Sequence, residues 1–333
     1  MTDETQMVEA LDARARRREE RRDFFRAFGA VAAVGGGLAL TSCGGNDDAT
    51  PTPTPAPTPT PSSTNSSGFT DLDVLNFALN LEYLEAQFYA FAANGTGLAS
   101  TLLTGSGTAG TVTGGRKANL SDPIVANYAR EIAQDELAHV EFLRNALGTG
   151  AIAMPNLDIS ATATSAFSNA ARAAGLIGTG ATFDPYENED NFLLAAFLFE
   201  DVGVTAYRGA IGVFANALIR QTASGILAAE SYHAAMIRSA LYMRGLTTPT
   251  LIDSSEAISN ARDGLDGASD IDQGVRPIGD QSNIMPFDPN TGLPYGRTTG
   301  QVLNIAYLNR NAVTAGGFFP AGVNGAIKTS AAN

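Results

Sequence analysis

The stretch Gln134-Asp135-Glu136-Leu137-Ala138-His139 decides how the rest of the chain is read. Three residues of α-helix sweep through about 300°, so Glu136 and His139 stand one turn apart on one face. A carboxylate oxygen and an imidazole nitrogen in that relation can grip a single metal ion. The chain of 333 residues contains only two histidines. The other, His233, also has a glutamate three residues before it, Glu230. A single Glu-x-x-His is a weak signal. Both histidines carrying it is a pattern.

Working outward, four long segments have helical periodicity. Apolar residues recur at three- and four-residue steps over 71–93, with Thr70 and Asp71 as cap candidates. Ser121-Asp122-Pro123 opens a second helix that runs to about Leu147. A third is expected over 189–217 and a fourth over 222–244, with a break near 220–222. Residues 94–120 are rich in Gly, Thr and Ser and read as a loop, with a short strand pair near 111–113. Residues 148–187 form a long connection with a short helix over 162–174. Shorter helices are expected at 254–262 and 299–309. Two short links and one long one among four helices predict an all-α fold, a four-helix bundle with one long crossover. The irregular 246–333 tail lacks the apolar content for a core of its own, so it is expected to wrap the bundle.

The first and third helices each bring a glutamate in apolar surroundings: Leu81-Glu82-Tyr83-Leu84 and Leu198-Phe199-Glu200-Asp201-Val202. Tyr89 and Tyr207 follow these glutamates by seven residues, about two turns, and share their faces. The pattern is therefore duplicated: Glu with Tyr, then Glu with His, twice over. Unpaired charge buried in a bundle costs several kcal/mol per ion, about the scale of a whole domain's stability. Two divalent cations repair this, since four carboxylates balance them and both imidazoles bind neutral. Tyr89 and Tyr207 are candidate donors to the carboxylates. Glu85 competes with Glu82 for the first-helix position, and the tyrosine spacing favours Glu82. It is then either a neighbour of the ligands or a solvated residue. Asp135 can orient a histidine across the bundle, but position 229 is Ala, so the halves are not equivalent.

Composition bounds the rest. The net charge of −13 argues against nucleic acid and anionic membrane surfaces as partners. A hydrophobic fraction of 44% is enough for a core. The sole cysteine, Cys43, excludes an intramolecular disulfide. Residues 1–43 hold Arg21-Arg22-Asp23-Phe24-Phe25-Arg26, a short Gly-rich apolar run, and Leu40-Thr41-Ser42-Cys43. That arrangement resembles a twin-arginine signal peptide ending in a bacterial lipoprotein box. The resemblance implies export, lipid attachment at Cys43 and a periplasmic or cell-surface location on the membrane. The Thr-Pro repeats of 44–68 form an extended stalk.

From about residue 70 to 245 the chain resembles the ferritin-like superfamily, and most closely its desiccation-related or ferritin-like domain branch. The residues that carry this are Asn76-Phe77-Ala78-Leu79-Asn80-Leu81-Glu82-Tyr83-Leu84-Glu85-Ala86-Gln87-Phe88-Tyr89 and the two Glu-x-x-His pairs. Arg297-Thr298-Thr299 and the segment from Phe319-Pro320 to Gly325 look like that branch too. The resemblance implies a dinuclear site for two Fe or Mn ions. Glu136 and Glu230 would bridge, with Glu82 and His139 on one ion and Glu200 and His233 on the other. It further implies a reaction with peroxide or O₂ in stress protection, or else a metal-binding or structural desiccation- or stress-related surface protein without significant turnover. A rubredoxin-type Cys cluster is absent, which excludes electron transfer within the chain by that route.

Overall fold

The computed structural model describes residues 68–333. The leader, Cys43 and the stalk up to residue 67 lie outside the described residues. No helix among the described residues is long and apolar enough to cross a membrane.

Local chemistry sets the helix ends. Helix α1 (Asp71–Asn94) starts in a capping box, where Thr70 and Asp73 satisfy one another's backbone amides. It stops at Gly95, whose φ of 80° is the left-handed conformation that glycine adopts without penalty. Helix α2 (Pro123–Leu147) has Pro in its first turn, and the Asp122 side chain accepts from the Ile124 amide. A short strand β1 (Val112–Gly114) lies in the loop between them. It pairs in parallel with β2 (Leu157–Ile159), Val112 opposite Leu157. The expected local strand pair is thus a long-range one, and it staples the first loop to the crossover. The crossover also holds α3 (Ala166–Ala173). Then follow α4 (Glu189–Ile211), α5 (Ala217–Gly245), α6 (Thr250–Asp266) and α7 (Thr299–Ala306).

The contacts define an antiparallel bundle. Asn76, near the start of α1, bonds Gly150 and Ile152 just beyond the end of α2. Asp190 at the start of α4 pairs with Arg244 at the end of α5. Glu189 at the start of α4 accepts from the Asp122 amide at the start of α2. The crossover therefore leaves α2 at one end of the bundle and delivers α4 at the other, which makes α2 and α4 parallel.

The break between the last two long helices falls at residues 212–216, several residues before the expected one. Its cause is remote in sequence. The buried Asp71 carboxylate accepts from the backbone amides of Ala215 and Asn216, both at 2.8 Å. Asn216 then caps α5 through the amides of Leu218 and Ile219. In the tail, α6 is longer than 254–262, and α7 ends at Ala306 because the chain turns at Leu308, φ 53°.

The tail packs along α1 and α4. Asn80 on α1 and Asn324 exchange two hydrogen bonds of 2.9 and 3.0 Å. Phe318 meets Phe167 and Phe199 edge-on at 5.0 and 4.9 Å. Three buried arginines join the tail to the bundle. Arg238 and Arg262 share the Asp201 carboxylate. Arg262 and Arg297 both reach Asp272, and Arg297 also pairs with Asp266 at 2.6 Å. Three cations thus meet three anions, and Arg238 spends its remaining donors on carbonyls of residues 273, 274, 283 and 284. Removing one member strands its partners, which costs about 3–5 kcal/mol. Arg297→Met should accordingly lower unfolding stability by about that amount in a urea titration. A loss below about 1 kcal/mol would show the network to be dispensable.

Candidate metal centre

The structure brings Glu82, Glu136, His139, Glu200, Glu230 and His233 together in the bundle interior, each at most 2% exposed. Antiparallel packing of α1 on α2 and of α4 on α5 puts one carboxylate from each helix at the same level. The two Glu-x-x-His pairs face each other, with His139 and His233 ring centroids 5.9 Å apart. Two sets of four donors result, each set with its donor atoms within 4.8 Å of one another. One is Glu82, Glu136, His139 and Glu230; the other is Glu136, Glu200, Glu230 and His233. Glu136 and Glu230 belong to both.

His139 directs Nδ1 inward, 3.2 Å from Glu82 and 3.5 Å from both Glu136 and Glu230. His233 directs Nδ1 to Glu136 at 3.0 Å and Glu200 at 3.5 Å. Its far nitrogen, Nε2, faces Asp135 at 3.3 Å. A hydrogen bond from Nε2–H to that carboxylate fixes the tautomer in which Nδ1 is a free donor to a metal. Ala229 leaves the other half of the site without a residue equivalent to Asp135.

The tyrosines work across the bundle. The Tyr207 hydroxyl on α4 donates to Glu82 on α1 at 2.5 Å. The Tyr89 hydroxyl on α1 lies beside Glu200 on α4. Burial first, and then the adjacent carboxylate charge, holds both phenols well above their ordinary range, so they stay protonated.

Nine side-chain atoms of these six residues lack any hydrogen-bond partner: one oxygen of Glu82, both oxygens of Glu136, Glu200 and Glu230, and Nδ1 of each histidine. Such orphans are rare in folded proteins because each costs about 1–3 kcal/mol, more when charged. Here they converge on one volume. The donors are hard carboxylate oxygens and imidazole nitrogens, which suit Fe and Mn. The residues present therefore fit two cations.

Two further residues belong to this interior. Glu85 is 6% exposed and faces the cluster, so it is not solvated. Its position was encoded in the spacing, since residues 82, 85 and 89 share one helical face. Gly203, one turn beyond Glu200, is the less legible one. A Cβ there would stand 2.3 Å from the Glu230 carboxylate, so only glycine leaves that carboxylate its place.

Protons partly stand in for cations. Burial raises Glu82 to about 7, with His139 opposing and Glu136 adding to the shift. Burial and the neighbouring glutamate charges push Glu230 and Glu85 up well above the ordinary range. Burial also pushes Glu136 up, but His139 and His233 outweigh it and hold that carboxyl below its usual range. Burial lowers both imidazoles, and the carboxylates around them more than reverse this.

The fold and site define a class: a ferritin-like four-helix bundle with a carboxylate and histidine cluster at mid-height. The ferritin-like domain family matches residues 70–243, and the chain belongs to that family. It is 32% identical over 279 residues to the ferritin-like catalase Nec2 of Nesocodon mauritianus, covering 79% of this chain and 86% of that protein. It is 31% identical over 239 residues to the desiccation-related protein PCC13-62 of Craterostigma plantagineum, covering 70% and 71%. No solved structure matches the chain significantly.

These shifts give metal-free protein a definite pH dependence. Glu82 has a folded value, about 7, above its ordinary 4.5, so its contribution to stability is complete below 4.5 and is lost as pH rises through 7. Both histidines act in the same direction. Metal ions compete with these protons, so loading is favoured by rising pH. The Tm of chelator-treated protein should fall from pH 5 to pH 8, and its gap to metal-loaded protein should widen. A gap that narrows with pH in scanning calorimetry would refute the assignment of these protons.

Proposed function

We propose that this ferritin-like, metal-binding protein holds two Fe or Mn ions and consumes peroxide or O₂ in stress protection. The observation that carries this reading is the convergence of nine orphaned donor atoms on two overlapping four-donor sets. In this reading Glu136 and Glu230, common to both donor sets, would be shared by the two ions, with Glu82 and His139 holding one and Glu200 and His233 the other. Once bound, the ion pair supplies the redox change and the open positions for a small oxidant. The protein's own residues do the rest. Four carboxylates neutralise two 2+ ions, Asp135 presents His233 through Nδ1, and Tyr207 holds the second oxygen of Glu82. The catalase name of one relative favours peroxide as the oxidant.

The desiccation-related name of the other favours a second reading, metal binding without significant turnover. Turnover separates them. Purified protein with two ions per chain should release O₂ from hydrogen peroxide, and Glu136→Ala and His233→Ala should each lower both metal content and rate at least tenfold. Full metal with no O₂ release would favour the second reading. Normal metal content in Glu136→Ala would rule out both.

The address is part of the same proposal. Residues 1–43 export the chain by the twin-arginine route, Cys43 carries the lipid, 44–68 is the stalk, 69–245 the metal-bearing bundle and 246–333 its cover. The motifs Arg21-Arg22-Asp23-Phe24-Phe25 and Leu40-Thr41-Ser42-Cys43 support this. Cys43→Ser should move the exported protein from the membrane fraction to the soluble fraction, and unchanged membrane partition would contradict the anchor.

A further inference from the structure

We propose that an apolar pocket between α1, α4 and α7 is a dioxygen port onto the metal centre. The proposal rests on the dinuclear reading above and adds the route by which gas reaches or leaves it. The pocket has a cavity volume of about 30 Å³. Leu84, Val202, Val302, Ile305 and Phe318 wall it, and Glu85 and Gly203 close its inner end. The Glu85 carboxyl is the one polar side chain in the lining. Water needs two to four polar partners to settle in a cavity, and peroxide has similar needs. A small, uncharged, apolar molecule has none, and apolar cavities of this kind take up gases such as xenon.

The inner wall is thin. Gly203 and Glu85, both in the lining, also border the metal-site carboxylate: a Cβ at Gly203 would come within 2.3 Å of Glu230 Oε2 and 3.4 Å of Glu85 Oε1. A second apolar pocket of about 30 Å³, between α3, α4, α6 and α7, shares Leu198 and Ile305 with it. The opposite side of the site, between α2 and α5, carries a polar group. There Asp135, with about a third of its side chain exposed, contacts His233 directly. The two sides therefore suit different molecules. Disproportionation of two hydrogen peroxides to two waters and one O₂ takes in a polar reactant and yields an apolar gas. The α2/α5 side admits the first, and the α1/α4 side passes the second.

The test is xenon pressurisation of crystals of the metal-loaded protein. Xenon should appear against Val302 and Ile305. Ala306→Phe, which fills the pocket from α7 without touching a donor residue, should lose that xenon while keeping two ions per chain. Ordered water bonded to Glu85 in place of xenon, or xenon retained in Ala306→Phe, would overturn the proposal. In solution, the Val302 and Ile305 methyl signals should broaden several-fold more under pressurised dioxygen than those of Leu293, which is exposed. Equal broadening would also overturn it. Neither readout depends on turnover, so absence of metal or of peroxide consumption would defeat the functional reading and leave the gas site standing.

Discussion

Four glutamates and two histidines sit in the interior of this bundle with nine of their polar atoms lacking the hydrogen bonds that buried groups require, and the rest of the structure is arranged around that constraint. A second buried charge cluster in the same molecule makes the contrast. Arg238, Arg262 and Arg297 meet Asp201, Asp266 and Asp272 in equal number, and backbone carbonyls take further guanidinium donors. That network is electrically closed. The glutamate and histidine cluster has more carboxylates than imidazoles and leaves nine donor atoms unmatched. Its deficit is of positive charge, at a spacing that two cations would fill.

The asymmetry of the bundle follows from what covers it. Helix α1 is buried on nearly every side, because the first loop, the crossover and the tail close over it. Helix α2 keeps an exposed polar face, and Asp135 on that helix brings a partly solvated carboxylate to within 3.3 Å of His233. A dry face and a wet face thus meet at one buried cluster. The duplicated Glu-Tyr and Glu-His halves would make the site symmetric, and the enclosing tail and the Asp135–Ala229 difference make it directional.

Much of this was legible in the sequence, because helix periodicity is local. Thr70, Asp122 and Gly95 mark ends that backbone chemistry fixes within a few residues. The three-residue spacing of Glu136 to His139 and of Glu230 to His233 puts each pair on one face wherever the helix lies. What escaped depends on contacts between residues far apart in the chain. Asp71 sets the α4–α5 break from more than 140 residues away. β1 finds its partner in the crossover, and three arginines find theirs in the tail and α4. Glu85 stood on the right face, but only packing decides that it is buried. Gly203 matters because of where Glu230 comes to rest.

The central claim is that two metal ions share Glu136 and Glu230. Anomalous diffraction at the Fe and Mn edges, on protein exported in its native host, tests it most directly. Two anomalous peaks per chain are expected, with both of these carboxylates lying between them. A single peak, or none with ordered water satisfying the nine orphaned atoms, would contradict it.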